Sequence, residues 1–136
     1  MTDNPFVSKM LEQDTFTQWL GIQIVEVQVG YCKLNYTVKP EMLNGFQSIH
    51  GGVLFSASDS ALAFAANTHG NLSVALDVSI SYTRPAFEGD MLTVIAEELH
   101  LGKTTAIYDI KTYNEQGKII CIFKGTVYRT GKSVLE

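Results

Sequence analysis

The segment from His50 to Gly70, HGGVLFSASDSALAFAANTHG, constrains the fold more than any other part of the chain. It contains no proline, and its many alanine and other apolar residues predict a helix that begins near Gly51. Apolar residues would lie on every side of this helix, which is typical of a helix enclosed by the rest of a protein. The remaining elements are therefore expected to wrap around it.

A single charged residue, Asp59, interrupts this apolar helix. A carboxylate in such a place costs free energy unless it is paired, hydrogen-bonded or open to a ligand cavity. Two interpretations are open. Asp59 accepts hydrogen bonds from Ser56 or from a neighbouring strand, or it faces a cleft that its helix shares with another element.

The order of the other elements predicts an α+β fold in which an antiparallel sheet wraps around one long central helix. Asn4 and Pro5 are typical of a helix start, and the helix they begin would turn apolar residues inward. Residues 15–20 add a further turn, with Trp19 expected to be a buried anchor. Two-residue alternation and turn signals then predict strands over residues 22–29, 32–38, 74–82, 91–99, 104–114 and 118–130.

Some features of these strands are specific predictions. The alternation slips between Ile24 and Val25, which indicates a bulge. Strict alternation over residues 74–82 predicts one packed face and one polar or ligand-facing face. Apolar residues on both sides of residues 118–130 predict a central strand, and a loose tail is expected after Gly131. Because an open sheet leaves an edge, we expect a dimer that continues the sheet.

Composition limits the functional classes that fit the chain. A length of 136 residues suits one domain, residues 1–136, and no apolar run is long enough to span a membrane. The N-terminal residues do not resemble a secretory signal, so we expect a cytoplasmic protein. A net charge of −4 and a pI near 5.3 argue against nucleic acid as a partner.

The cysteines and histidines do not predict a metal site. Cys32 and Cys121 are far apart in the sequence and are expected to be reduced core residues. His50, His69 and His100 lack the spacing of metal ligands, so we expect no metal and no cofactor. His69 and His100 have no obvious partner and are expected to lie on the surface.

The residues in and before the central helix form a pattern that resembles a known family. They are Asn44, His50, Gly51, Gly52, Phe55, Asp59, Asn67 and Gly70. With the order of elements and the sequence YTRP at residues 82–85, the pattern resembles the hotdog-fold acyl-CoA thioesterases of the phenylacetic-acid-degradation (PaaI) type. The resemblance covers nearly the whole chain.

This resemblance implies a hydrolase of acyl-coenzyme A thioesters that forms a homodimer with a joined sheet and often a homotetramer. Its active sites would lie at the dimer interface. Asp59 would be the catalytic carboxylate, and the Gly51 N–H would polarise the thioester carbonyl. Asn44 and His50 would provide polar support from the partner of the chain that supplies Asp59.

The sequence departs from the family at one position on the strand after the central helix. Some relatives carry a Ser or Thr there that helps to place water or substrate. In this chain Ala75 is near that position, with Ser73 and Asp77 close by.

The residue types also fit this chemistry without the resemblance. Thioester hydrolysis develops negative charge on the carbonyl oxygen, which unpaired N–H groups at a helix start can stabilise. Asp59 in apolar surroundings would have a raised proton affinity, so it could act as a general base or attack the carbonyl directly. The residues leave both routes open. Other readings also stay open for His50, which would cap the helix, and for Asn44, which would form a turn.

Further residues are candidates for binding acyl-CoA. Arg84 and Lys103, with Lys124 behind them, are the basic residues expected to meet the coenzyme A phosphates, although each would also suit a solvated surface position. The acyl pocket is expected to be lined by Phe55, Leu62, Phe46 and Tyr82.

Two other functions fit a hotdog fold. A hydratase or dehydratase would need a histidine and a carboxylate that face one substrate carbon. A non-catalytic acyl-CoA-binding protein would reuse the fold without turnover.

Overall fold

A computed structural model describes residues 3–136 of the chain. Its helices and strands follow the predicted order, with one additional 3-10 turn. They are α1 (Pro5–Gln13), α2 (Thr15–Trp19), β1 (Gln23–Gln28), β2 (Tyr31–Thr37), the 3-10 turn (Pro40–Met42), α3 (Gly51–Asn67), β3 (Asn71–Tyr82), β4 (Met91–Leu101), β5 (Thr105–Tyr113) and β6 (Ile119–Ser133). None of the described helices is long and apolar enough to cross a membrane.

The six strands form one sheet in the order β1-β2-β4-β5-β6-β3, and every neighbouring pair is antiparallel. Helix α3 packs on one face of this sheet and contacts strands β2 to β6. The core lies between the helix and the sheet, which explains why α3 is apolar on most sides. Strands β1 and β3 are the two edges.

A glycine lets α3 approach the sheet closely. A Cβ atom at Gly125 of β6 would lie 2.6 Å from Cδ2 of Leu62, which is only 1% exposed. The absence of a side chain at residue 125 therefore makes room for Leu62 between the helix and the sheet.

Two predicted details of the sheet are confirmed. In the β1–β2 ladder, Ile24 pairs with Leu34 and Glu26 pairs with Lys33, so Val25 is the extra residue of a bulge. Strand β6 lies between β5 and β3 and is therefore an interior strand, as its apolar residues on both sides indicated.

The prediction that one face of β3 packs against the core along its whole length is wrong for the first half of the strand. The register shifts between Ala75 and Asp77, so Val74 pairs with Tyr128 while Val78 pairs with Gly125. Because residues 125 and 128 of β6 point to opposite faces, the bulge turns Val74 and Val78 to opposite faces as well. Val78 packs against the core, whereas Val74 is 48% exposed.

Two predictions at the chain ends are also wrong. Trp19 is 66% exposed, because the short helix α2 turns Thr17 and Leu20 toward the core and leaves Trp19 on the other side beside Phe16. The residues after Gly131 are not a loose tail, because β6 continues to Ser133 and the Val134 N–H donates to the Gly70 carbonyl at 3.0 Å.

Candidate active site

Asp59 lies in the middle of α3, half-buried, with its carboxylate open to a cleft of about 260 Å³. No residue in the range 3–136 donates a hydrogen bond to this carboxylate. The Ser56 hydroxyl donates instead to the Gly52 carbonyl at 2.8 Å, so the interpretation in which Ser56 satisfies Asp59 is wrong. Burial raises the pKa of Asp59, and the negative charge of Asp14 raises it further.

The Asp59 cleft is formed by α1, α3, β3 and β6. Apart from Asp59, its lining residues are uncharged and mostly apolar. They are Met10, Leu62, Ala63, Asn67, Leu72, Ser73, Val74, Ala75 and Val127. A cleft of this character suits an apolar group placed next to a carboxylate.

A buried asparagine fixes the strand side of this cleft. The Asn67 amide accepts a hydrogen bond from the Ser73 N–H at 2.8 Å and donates one to the Ser73 carbonyl at 3.0 Å. Both Ser73 and Ala75 line the cleft, whereas Asp77 follows the β3 bulge and is exposed on the outer face of the sheet. Ser73 therefore borders the Asp59 cleft, with its hydroxyl donating to the Asn71 carbonyl at 2.9 Å, and Asp77 does not contribute to the cleft.

Gly51 lies at the start of α3 and opens on a second cleft of about 390 Å³. The next three N–H groups of the helix are bonded to His50: Gly52 N–H donates to Nδ1 at 2.8 Å, while Val53 and Leu54 donate to the carbonyl. The Gly51 N–H has no acceptor among the described residues. It is therefore the one donor of these four that remains for a ligand oxygen.

The lining of the Gly51 cleft includes several of the predicted site residues. They are Asn44, Ile49, Gly51, Leu54, Tyr82, Thr83, Arg84 and Pro85. The Tyr82 hydroxyl donates to the Gly51 carbonyl at 3.1 Å, and a Cβ atom on Gly51 would lie 3.1 Å from the Tyr82 ring. Glycine at this position therefore allows Tyr82 to pack directly on the helix start.

Asn44 and His50 both hold local structure. The Asn44 side-chain oxygen accepts hydrogen bonds from the N–H groups of Phe46 at 2.8 Å and Ser48 at 3.2 Å. His50 caps α3 through Nδ1, so its ring proton is on Nε2, and no hydrogen bond joins it to Asn44 within the described chain. In one chain these residues stabilise the loop and helix start that present Gly51.

The four predicted acyl-pocket residues do not meet within one chain. Leu62 borders the Asp59 cleft and Tyr82 borders the Gly51 cleft. Phe55 is half-buried and packs edge-on against Phe123, with ring centroids 5.3 Å apart. Phe46 is 89% exposed at the tip of its loop and lines neither cleft.

The predicted coenzyme A contacts are also separated. Arg84 lines the Gly51 cleft, and its backbone N–H donates to the Ile120 carbonyl near the start of β6. Lys103 lies in the β4–β5 turn, next to Thr104, whose carbonyl accepts from the Arg129 N–H. Ile120 and Arg129 are nine residues apart on one strand, or about 30 Å. Arg84 and Lys103 of one chain therefore lie at opposite ends of the sheet, and Lys124 is exposed between those ends on the outer face.

Asp59 and Gly51 are likewise too far apart to act together within one chain. They are eight residues apart on α3, which corresponds to about 12 Å along the helix axis. A reacting carbonyl needs both groups within hydrogen-bonding distance of its own atoms. If both groups act on one carbonyl, they must come from two copies of the chain.

Comparison with known proteins identifies the family. Residues 46–121 match the model of the thioesterase superfamily, which is more than half of the 136-residue chain. The chain belongs to the thioesterase superfamily. This finding fits the free helix-start N–H and the cleft-facing carboxylate described above.

Similar proteins show the same fold along nearly the full length of this thioesterase. It is 42% identical to acyl-coenzyme A thioesterase PaaI of Escherichia coli K12 over 92% of this chain and 89% of that protein. The structure of the E. coli PaaI protein from the phenylacetic acid degradation operon matches with a TM-score of 0.91 and 39% identity, over 97% of this chain and 99% of that one. A hypothetical thioesterase of Streptococcus pneumoniae TIGR4, solved with coenzyme A, matches with a TM-score of 0.86 and 27% identity over 92% and 98% of the two chains. The predicted hotdog fold, PaaI-like family and thioesterase class are confirmed.

The thioesterase contains a polar cluster that the sequence did not indicate. His69 is not an unpartnered surface residue, because its Nε2 lies 2.6 Å from Oε1 of Glu98, which also accepts from the buried Tyr108 hydroxyl at 2.7 Å. Burial raises the pKa of Glu98, but the hydrogen bonds from His69 and Tyr108, together with electrostatic interactions with His69 and Arg129, lower it overall. His100 is exposed as predicted. The described residues of the thioesterase contain no group of three or more His, Cys, Asp or Glu that could hold a metal ion.

Proposed function

We propose that this thioesterase hydrolyses acyl-coenzyme A to a free acid and coenzyme A, using Asp59 as the catalytic carboxylate. The observation that carries the proposal is a half-buried carboxylate with a raised pKa, no donor from residues 3–136, and a cleft in front of it. The names of the relatives support the substrate class, since one is an acyl-coenzyme A thioesterase and another was solved with coenzyme A.

The reaction can follow either of two routes. As a general base, Asp59 takes a proton from water while the water oxygen attacks the thioester carbonyl; the C–S bond then breaks and the thiolate leaves as the proton returns to it. As a nucleophile, a carboxylate oxygen of Asp59 attacks the carbonyl, the thiolate leaves, and water hydrolyses the resulting anhydride. In both routes the Gly51 N–H donates to the carbonyl oxygen as it becomes negative. Both require Asp59 to be ionised.

The distance between Asp59 and Gly51 in one chain favours a shared site between two copies. We propose that each chain is a single domain and that two chains form a homodimer by joining their sheets through β3. This strand is a twelve-residue edge with exposed Val74 and Leu76. Such a dimer would bring Asp59 of one copy to Gly51, Asn44 and His50 of the other. A homotetramer would form as a dimer of these dimers.

For the substrate, we propose an aryl- or medium-chain acyl-CoA. The apolar lining of the Asp59 cleft supports an apolar acyl group. The phenylacetic acid degradation operon of the E. coli relative supports an aryl group and that pathway. Arg84 is the better supported contact for a coenzyme A phosphate, because it lines the same cleft as Gly51.

The two alternative functions have less support. A hydratase would use a histidine and a carboxylate on one substrate carbon, whereas His50 caps α3 and its Nδ1 is occupied by the Gly52 N–H. A protein that only binds acyl-CoA would not need a carboxylate in a largely apolar cleft, where an unpaired carboxylate lowers the stability of the fold. No contact among the described residues favours the hydratase or the binding protein over the thioesterase.

The first experiment measures free thiol released from a panel of short-, medium-chain and aryl-CoA substrates. Asp59→Asn is expected to lower kcat by about 10²–10⁴-fold, the usual contribution of a proton-transferring group. Asp77→Asn is the control, because Asp77 carries the same charge on the outer face of β3. No turnover by the parent on any acyl-CoA, or parent-like turnover by Asp59→Asn, would contradict the proposal. Product analysis for hydroxyacyl or enoyl species separates the hydratase.

A further inference from the structure

A short chain of hydrogen bonds connects Asp14 to α3 at Ser60, the residue after Asp59. The Asp14 carboxylate caps α2 and accepts from Thr17 twice, from the N–H at 3.0 Å and from the hydroxyl at 2.6 Å. The Thr17 oxygen lies 2.9 Å from the Ser60 hydroxyl. Because the Thr17 proton is donated to Asp14, Ser60 is the donor in that second bond. Two hydrogen bonds thus link Asp14 to the residue that directly follows Asp59.

This connection is buried and well defined. Thr17 is 0% exposed and Ser60 is 9% exposed, so the hydroxyl chain is shielded from solvent. Asp14 itself is half-buried. In such surroundings a fixed charge acts on a neighbouring carboxylate more strongly than it would in water.

We propose that Asp14 is a positioning residue for thioester hydrolysis: its carboxylate, anchored to α3 through Thr17 and Ser60, acts electrostatically on Asp59. The proposal rests on the catalytic role proposed for Asp59. It assigns to the N-terminal segment a part in the chemistry in addition to packing. The acid limb of the pH–rate profile then depends on a residue outside the substrate cleft.

Other charged groups near Asp59 do not supply the same effect. The charged side chains on the elements that form or flank its cleft are Asp14 at the N-cap of α2, Lys9 and Glu12 of α1, Asp77 of β3, and Lys124, Arg129 and Lys132 of β6. Lys9 and Arg129 are positively charged, so their effect on a carboxylate would be to lower its pKa and not to raise it; they donate to the Val134 and Gly102 carbonyls. Glu12, Asp77, Lys124 and Lys132 are exposed, so water screens their charges. Asp14 is the charged side chain whose field raises the pKa of Asp59 in addition to burial.

The test compares Asp14→Asn with Glu12→Gln. Asparagine caps a helix about as well as aspartate, so Asp14→Asn removes the charge and keeps α2. Glu12→Gln also removes one negative charge, but from an exposed side chain that lies two residues before Asp14. The measurements are kcat/KM against pH and the titration midpoint of the Asp59 carboxyl by ¹³C NMR, with Asp59→Asn used to assign its signal.

Removing a like charge lowers the pKa of Asp59, and hydrolysis needs the ionised form. In Asp14→Asn the acid limb of kcat/KM and the NMR midpoint are therefore expected to shift together to lower pH, with a lower plateau because the base is weaker. Glu12→Gln is expected to match the parent. If Asp14→Asn does not fold, Asp14→Ser is the replacement, since serine also caps helices without charge.

Three outcomes would overturn the proposal. An unmoved NMR midpoint means that Asp14 does not act on Asp59, whatever the activity. A uniform loss of kcat/KM at every pH with an unmoved limb means that Asp14 only supports the fold. A midpoint that moves while the limb stays means that Asp59 is not the titrating base, and the proposed role of Asp59 then fails together with that of Asp14.

Discussion

Gly51 contributes to the candidate site through its backbone, so its role has to be tested through the N–H group. The residue stands at the first position of α3, where proline is tolerated because this N–H makes no helical hydrogen bond. The preceding residue, His50, has φ −67° and ψ 135°, a conformation that fits a residue before proline. The backbone at residue 51 therefore accommodates proline, which removes this donor.

Gly51→Pro is expected to lower kcat by about 10²–10³-fold, the effect of losing one donor to a developing oxyanion. Gly51→Ala is the matched control, because it keeps the N–H but places a Cβ atom at the same 3.1 Å distance from Tyr82. Steady-state kinetics and a thermal melt of both variants check the prediction. Equal losses in the two variants would assign the effect to the contact with Tyr82.

The contact between α3 and β6 determines how deeply the central helix sits on the sheet. Leu62 fills the space over Gly125 and also borders the Asp59 cleft, so packing and site geometry depend on the same side chain. The other end of α3 is held by Asn67, which bonds to both backbone groups of Ser73. Asp59 lies three residues before Leu62, on the N-terminal side of both contacts.

Gly125→Ala is expected to lower the free energy of unfolding by about 1–3 kcal/mol, because the added methyl group overpacks the Leu62 site. Gly45→Ala is the control, since a Cβ atom at Gly45 meets nothing within 4 Å. Urea denaturation of both variants measures the difference. A Gly125→Ala variant as stable as the Gly45→Ala control would show that α3 is not closely packed against residue 125.

At the scale of the whole molecule, the structure divides the candidate site between two clefts. The Asp59 cleft and the Gly51 cleft have no lining residue in common. In a dimer with shared sites, each site would take its carboxylate from one copy and its N–H donor from the other. This arrangement makes a prediction about mixed dimers that a site within one chain does not make.

Asp59→Asn and Gly51→Pro chains, each nearly inactive alone, are expected to recover activity when unfolded and refolded together. A mixed dimer would contain one site with neither substitution and one site with both, so about half of its sites would work. Since half of a random mixture consists of mixed dimers, roughly a quarter of the parent activity should return. Size-exclusion chromatography with light scattering confirms the dimer. No recovery in verified mixed dimers would show that the sites are not shared.

Several features could be predicted because their signals are local in the sequence. The apolar residues of α3 predict an enclosed helix, and two-residue alternation predicts the strands and the β1 bulge. The residues around the helix start also lie close together in the sequence, so a short pattern is enough to name Gly51 and Asp59 as candidate site residues. These features depend on which residue types follow one another over a few positions.

Only the tertiary structure decided the features that depend on distant residues. The β3 bulge follows from pairing with β6, and the Val134 hydrogen bond to Gly70 ties down the C-terminal residues. His69 meets Glu98 across 29 positions, and Thr17 meets Ser60 across 43. The local sequence determined that Asp59 is an isolated carboxylate on a buried helix. Folding decided which distant charged side chain raises the pKa of the Asp59 carboxyl, because electrostatic interactions act through space and not along the chain.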